Sequence, residues 1–304
     1  MNSIYHFQVA GLLFSVCLPE GWDVDSLLPS FRPFRCSTVA SAACAFRFRA
    51  SAASFDGGTA ADRLLDESSN DMGHVRLFRT AAGYRTDIAY GSAGGPVHVM
   101  VMNPSFDEAV ACLCPEDPFL DMVLSSMLRI LYAQSVLLHG GVSIHASCVS
   151  LEGRGYLFLG KSGTGKSTHS RQWMEAFPDC RLLNDDNPVL RMEDGTLMVY
   201  GTPWSGKTPC YKAEGCPVAG IARLQQAGAN RFFPLDETGA FAALLPSCSG
   251  IRQDAHLHDA LCCTLIDVAE QIPLGRMECL PNLEAARLCH ESLCRENGKI
   301  LKNS

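Results

Sequence analysis

Lysine is scarce in this chain. Of 25 Lys and Arg residues only six are lysine, and none precedes Lys161. Two of the six, Lys161 and Lys166, stand in one glycine-rich stretch. A chain that uses arginine elsewhere has placed there the compact ammonium that suits phosphate. Charge of either kind is thin: 19% of residues are charged and the net charge is −7. That balance argues against a nucleic-acid partner, because binding a phosphate backbone needs a basic face. CxxC pairs are missing although the chain holds 15 cysteines. Spacings such as Cys112-x-Cys114 and Cys262-Cys263 support neither a zinc ribbon nor a thioredoxin-type redox site. Reduced, buried thiols in a cytoplasmic protein are the expectation. Long apolar runs are lacking as well. Val9 to Leu18 is too short for a bilayer, which takes about 20 apolar residues. No Lys or Arg precedes that run as a signal peptide would require. It reads as a core strand, and no membrane partner is expected.

Against these absences stands a globular composition, 47% hydrophobic over 304 residues, enough for one large domain or two modest ones. Residues 1–117 read as an N-terminal β-rich accessory domain with an antiparallel sheet. Short segments such as Tyr5-His-Phe-Gln-Val, Leu12-Leu-Phe-Ser-Val and Val97-His-Val-Met-Val-Met102 carry the β-branched and aromatic residues of strands. Residues 118–304 read as a P-loop nucleotide-binding α/β domain with a mixed sheet. It opens on a helix over 118–134, whose apolar stripe is Leu120, Val123, Leu124, Met127, Leu128 and Leu131. Strands are expected at 142–150, 155–159, 180–183, near 188–200, 219–224 and 275–280. Helices are expected after residue 167, at 254–269 and at 283–293, with a frayed polar tail beyond Arg295.

Gly160-Lys161-Ser162-Gly163-Thr164-Gly165-Lys166-Ser167 carries the chemistry. The pattern G-x-x-x-x-G-K-[ST] lets backbone N–H groups turn inward on a phosphate. Tyr156 to Leu159 reads as the strand feeding it, and Thr168 to Phe177 as the helix leaving it. The helix N-terminus adds positive charge, the lysine reaches the outer phosphates, and the hydroxyl ligates Mg²⁺. Gly160 through Thr168 are therefore the candidate nucleotide contacts, with a nucleoside triphosphate and Mg²⁺ as cofactors.

Asn184-Asp185-Asp186-Asn187 follows an apolar strand. Paired carboxylates at the carboxyl end of a core strand are where a Mg²⁺-nucleotide enzyme keeps its metal and base. Neighbouring strand side chains point to opposite faces, so both acids meet one site only where the chain turns; Pro188 makes a turn there an expectation. His145 lies on the polar face of the strand before the loop strand, and a satisfied core histidine is the competing reading. Gly201-Thr-Pro-Trp-Ser-Gly206-Lys207-Thr208 also fits the loop pattern. Pro203 removes a donor, Trp204 is bulky, and Pro209, Gly215 and Pro217 forbid the helix such a loop requires. Trp204, Ser205 and Lys207 remain as candidate substrate contacts. His256-x-His258 diverges on a helix and does not read as a metal pair. Arg252 and Arg276 are candidate stabilisers of phosphate charge whose positions the sequence does not fix.

His145, the loop Gly160 to Ser167 and the pair Asp185-Asp186 together resemble the catalytic domain of HPr kinase/phosphorylase, of the phosphoenolpyruvate-carboxykinase-like P-loop fold. The likeness covers about residues 136–293. It implies an ATP-dependent kinase acting on a hydroxyl, of a small molecule or of a protein serine. Lys166 would grip the β- and γ-phosphates, and Ser167 and Asp185 would serve the Mg²⁺. Asp186 would take the acceptor proton, and His145 would lie beside the transferred group. Thr168 stands where that family commonly has an acidic residue, and 201–208 lacks its glutamate, so the acceptor is left open. A carboxykinase-type enzyme and a non-catalytic nucleotide-binding regulatory subunit are the alternatives. Homo-oligomerisation is equally open.

Overall fold

The computed structural model describes residues 2–36, 44–53, 55, 61–70, 72–91, 95–206 and 208–303. It is an α/β protein with mixed sheets, and its chain divides into two compact units, Met1–Ser135 and Val136–Ser304.

The first unit is built on eight strands, β1 Ser3–Val9, β2 Leu12–Leu18, β3 Phe46–Ser51, β4 Arg63–Asn70, β5 Gly73–Thr80, β6 Gly83–Ala89, β7 His98–Met102 and β8 Glu108–Cys112. They pair in the order β1-β2-β3-β8-β7-β6-β5-β4. The β1–β2 hairpin closes on Ala10 and Gly11, both at positive φ, the backbone a tight right-twisted hairpin needs. The sheet is not purely antiparallel as expected: β3 runs parallel to both β2 and β8. The stretch between β2 and β3 is long enough for the crossover that parallel pairing demands, and it holds the short helix α1 Val24–Leu27.

The apolar stripe expected at 118–134 becomes α2 Leu120–Leu137. Among the described residues it is the one helix long and apolar enough to cross a bilayer, and 72% of it is buried. Tyr132 sets it edge-on against the stacked rings of Phe14 and Phe46, and its hydroxyl donates to the Val9 carbonyl at 3.1 Å. These contacts tie most of α2 to the first unit, and the division at Ser135/Val136 falls inside its last turn.

The second unit carries β9 Gly141–Ser143, β10 Ala146–Leu151, β11 Arg154–Leu159, β12 Arg181–Asp186, β13 Val189–Glu193, β14 Thr196–Tyr200, β15 Gly215–Gln226, β16 Arg231–Pro234 and β17 Leu274–Cys279. Their path is β12-β10-β11-β15-β14-β13-β9, with β17 on β15 and β16 on β17. Only β11–β15 and β15–β17 are parallel; the other pairs are antiparallel. The helices are α3 Lys166–Ala176, α4 Glu237–Leu244, α5 Ala255–Gln271 and α6 Leu283–Asn303. Trp173 of α3 is the centre of the core beneath the loop, packed on Tyr156 and Phe158 of β11. Helix α6 continues to Asn303 instead of fraying after Arg295; Glu, Lys and Leu there are good helix formers, and Gly298 alone does not stop it.

Candidate functional site

The strand expected at 142–150 is two strands, and the break between them holds His145. β9 pairs with β13 through Ser143↔Val189, whereas β10 pairs with β12 through Ala146↔Asp186. Ile144 and His145 cross from one partner to the other. Their amides donate to the Pro188 and Ser247 carbonyls at 3.0 and 2.7 Å, so the backbone of the break is fixed.

β11 delivers the glycine-rich loop and α3 leaves it, as the sequence implies. Gly165 caps α3 with φ 105°, a left-handed conformation that a side chain resists, and Gly163 has φ 79°. Thr164 closes the loop on itself, its hydroxyl donating to the Lys161 carbonyl at 2.7 Å. Gly160, Lys161, Ser162, Gly163 and Thr164 line a cavity of about 580 Å³. Ser167 and Thr168 lie in the first turn of α3, Ser167 exposed and Thr168 half-buried. Ser170 ties α3 to the sheet through its hydroxyl, 2.6 Å from that of Ser147 on β10.

Lys166 is buried, and its Nζ donates to the Gly160 carbonyl at 3.0 Å and meets His145 Nε2 at 2.8 Å. Across the same ring, His145 Nδ1 lies 3.0 Å from Asp186 Oδ1. Three of the sequence candidates thus form one chain, Lys166–His145–Asp186. Burial pushes the Lys166 pKa down, and the negative charges of Asp186 and Asp185 oppose that shift.

The expected turn at the acids comes later than the sequence suggests. β12 runs through Asp185 and Asp186, so their side chains leave opposite faces, and only Asp186 meets His145. Asp185 is 5% exposed, and its Oδ2 has no hydrogen-bond partner. A buried carboxylate oxygen left unpaired calls for a cation or donor. That oxygen and the Ser167 hydroxyl are hard donors of the kind Mg²⁺ takes. No group of three His, Cys, Asp or Glu residues fit to hold a metal occurs among the described residues. A Mg²⁺ ion completed by phosphate oxygens and water needs no such group.

Asn184 organises the end of β12. Its Oδ1 accepts from the amides of Asp186 and Asn187 at 3.1 and 2.9 Å, and its Nδ2 donates to the Trp204 carbonyl at 3.1 Å. This anchors residues 201–206 against the acids, where the Gly206 amide donates to the Asp185 carbonyl at 2.8 Å. A Cβ at Gly206 would come within 2.7 Å of that oxygen, so the approach requires glycine. The second loop-like match is therefore a support for β12. No helix follows it, because β15 begins at Gly215. Trp204 is 5% exposed, its indole packed inward. Ser205 bridges to Asp186 and donates its hydroxyl to the Thr208 carbonyl. Lys207 lies outside the described residues.

Sequence reasoning missed Arg223 and Gln226, and it left Arg276 without a position. All three line the same cavity as the loop. The parallel β15–β17 register sets Arg223 directly beside Arg276, a pairing that no local motif announces. Arg252, the other arginine of interest, instead donates to the Leu245 carbonyl at 2.7 Å. His258 Nδ1 lies 3.2 Å from the Cys262 thiol one helical turn on.

No family model matches the chain, and no curated protein matches it in sequence. Among solved structures it is similar to the Hpr(Ser) kinase/phosphatase from Coxiella burnetii. That likeness has a TM-score of 0.33 and 12% identity, over 53% of this chain and 96% of the other. It is a weak likeness of fold.

Proposed function

We propose that the second unit is an ATP-dependent phosphotransferase that moves the γ-phosphoryl group of Mg-ATP to a hydroxyl acceptor. The observation that carries this reading is the Lys166–His145–Asp186 chain, which sets a carboxylate one imidazole away from the loop lysine. Phosphoryl transfer asks a protein mainly for position and charge. Loop amides of Gly160 to Thr164 and the N-terminus of α3 hold polyphosphate, and Lys166 turns its ammonium to the outer phosphates. Ser167 and Asp185 would hold Mg²⁺, which when bound neutralises charge on the phosphate oxygens. Asp186 accepts the proton of the attacking hydroxyl, a late transfer for which an oriented carboxylate suffices. His145 fixes the direction of that carboxylate.

A nucleotide-binding subunit without turnover is the second reading. The Asp186 carboxylate, set 3.0 Å from His145 Nδ1, weighs against it, since binding Mg-ATP alone needs no oriented proton acceptor. The deciding experiment incubates the protein with Mg-ATP and a panel of alcohols and serine-bearing peptides, and follows phosphorylated product by mass spectrometry. Product on at least one acceptor supports the kinase. Tight Mg-ATP binding with no product on any acceptor favours the regulatory subunit. The fifteen free thiols suit a reducing, cytoplasmic setting.

A further inference from the structure

Sheet order separates two kinds of chemistry around the loop. β11 lies between β10 and β15, and Asp186 and His145 belong to the β10–β12 side. On the other side β15 and β17 run parallel to β11, so the carboxyl ends of the three strands emerge along one edge. That edge is where open α/β sheets bind their ligands. There the loop forms one wall of the 580 Å³ cavity, and Arg223, Gln226 and Arg276 stand on the other. The volume suits a small organic ligand, and the acceptor hydroxyl must lie on the opposite side, by Asp186.

Arg276 is held flat. Its guanidinium carbon lies 4.6 Å from the centre of the Phe233 ring. The β16–β17 register pairs Phe233 with Arg276 directly, so strand pairing builds the stack. Its Nη1 reaches Gln225 Oε1 at 3.4 Å and Glu278 Oε1 at 3.6 Å. Glu278 divides its carboxylate between Arg276 and Arg231, whose Nη2 lies 2.8 Å from Oε2, so it offsets part of the charge on Arg276. Arg276 also has a planar face, and guanidinium planes stack on π-systems.

We propose that this cavity is the nucleoside subsite of the triphosphate site, with the base stacked on the Arg276 guanidinium and Phe233 behind it. A purine, with the larger ring surface, is the better occupant. The proposal rests on the triphosphate reading of the loop and adds to it the part of the ligand beyond the phosphates.

Calorimetric titration of Mg-ATP and of Mg-tripolyphosphate tests it, on the wild type, Arg276→Ala and Arg276→Lys. The expected result is that the wild type binds both ligands, ATP more tightly. Arg276→Ala then weakens ATP about tenfold, the effect of losing one stacking partner, and leaves tripolyphosphate unchanged. Arg276→Lys, which keeps the charge and loses the plane, behaves like the alanine variant. Phe233→Leu, which keeps the arginine but frees it, gives a smaller loss for ATP alone. Equal losses for ATP and tripolyphosphate would make Arg276 a phosphate contact and overturn the proposal. Unchanged ATP affinity in Arg276→Ala or Arg276→Lys would overturn it too, as would equal wild-type affinity for the two ligands. A wild type that binds neither removes the triphosphate reading itself, and the subsite with it.

Discussion

Lys166 Nζ and His145 Nε2 are 2.8 Å apart, and that contact fixes the proton positions of the site. An ammonium has donors only, so Nε2 accepts. The ring proton then sits on Nδ1 and points at Asp186 Oδ1, 3.0 Å away. Asp186 is thereby held as a hydrogen-bond acceptor at the end of a relay that begins at the loop.

Asp186→Asn keeps an oxygen for His145 Nδ1–H but removes the proton acceptor. Turnover on a verified alcohol acceptor should fall by roughly 10²–10⁴, with Mg-ATP affinity within a few-fold of wild type. Steady-state kinetics with a parallel binding titration measures both. Full turnover would remove Asp186 from the role of base.

His145→Ala leaves Lys166 its contact with the Gly160 carbonyl but removes the imidazole 3.0 Å from Asp186 Oδ1. Nucleotide binding should persist while turnover drops by at least about tenfold, the cost of a misoriented base. If ATP affinity collapsed and turnover of bound ATP did not change, His145 would be a support for the lysine alone.

Asn184→Ala deletes five hydrogen bonds around a fully buried side chain, two accepted from Asp186 and Asn187 and three donated to Thr202 and Trp204. The unpaired amides and carbonyls left behind should cost about 3 kcal/mol in urea denaturation. A loss under about 1 kcal/mol would mean that residues 201–206 hold β12 by other contacts.

Burial pushes the Cys248 thiol up to about 12, and it raises Cys148 and Cys289 as well. Unfolded thiols ionise near 9, so above that pH the unfolded chain releases protons that the folded chain keeps. Stability is therefore full below pH 9 and is lost as pH rises towards the folded values. Cys248 should cost about 1.4 kcal/mol at pH 10. Urea midpoints at pH 8 and pH 10 measure the slope, and Cys248→Ala should flatten it. An unchanged slope in that variant would exclude Cys248 as a contributor.

Local pattern carried much of this architecture. The loop, its strand and its helix are contiguous in the chain, so spacing and glycine content sufficed to find them. The apolar stripe of α2 was equally plain, but its side of the domain boundary was not, because Tyr132 meets Phe14 and Phe46 across a long stretch of sequence. The parallel pairing of β3 with β2 and β8 was hidden for a similar reason, since strand composition says nothing of direction. His145 could be picked out as a polar residue on a strand. Its placement at a break depends on β13 and β12 competing for the same segment, a non-local event. Arg276 gained its position only from the register of β15, β16 and β17, which no motif encodes.

The proposed activity requires that Gly160 to Ser167 grip a triphosphate through Lys166. Isothermal titration of Mg-ATP into wild type and Lys166→Ala, with unliganded stability checked by urea denaturation, measures this directly. The wild type should bind saturably, and the variant should remain folded with a Kd at least about tenfold weaker. Equal affinity in the two proteins, or no binding by the wild type, would contradict the proposed activity.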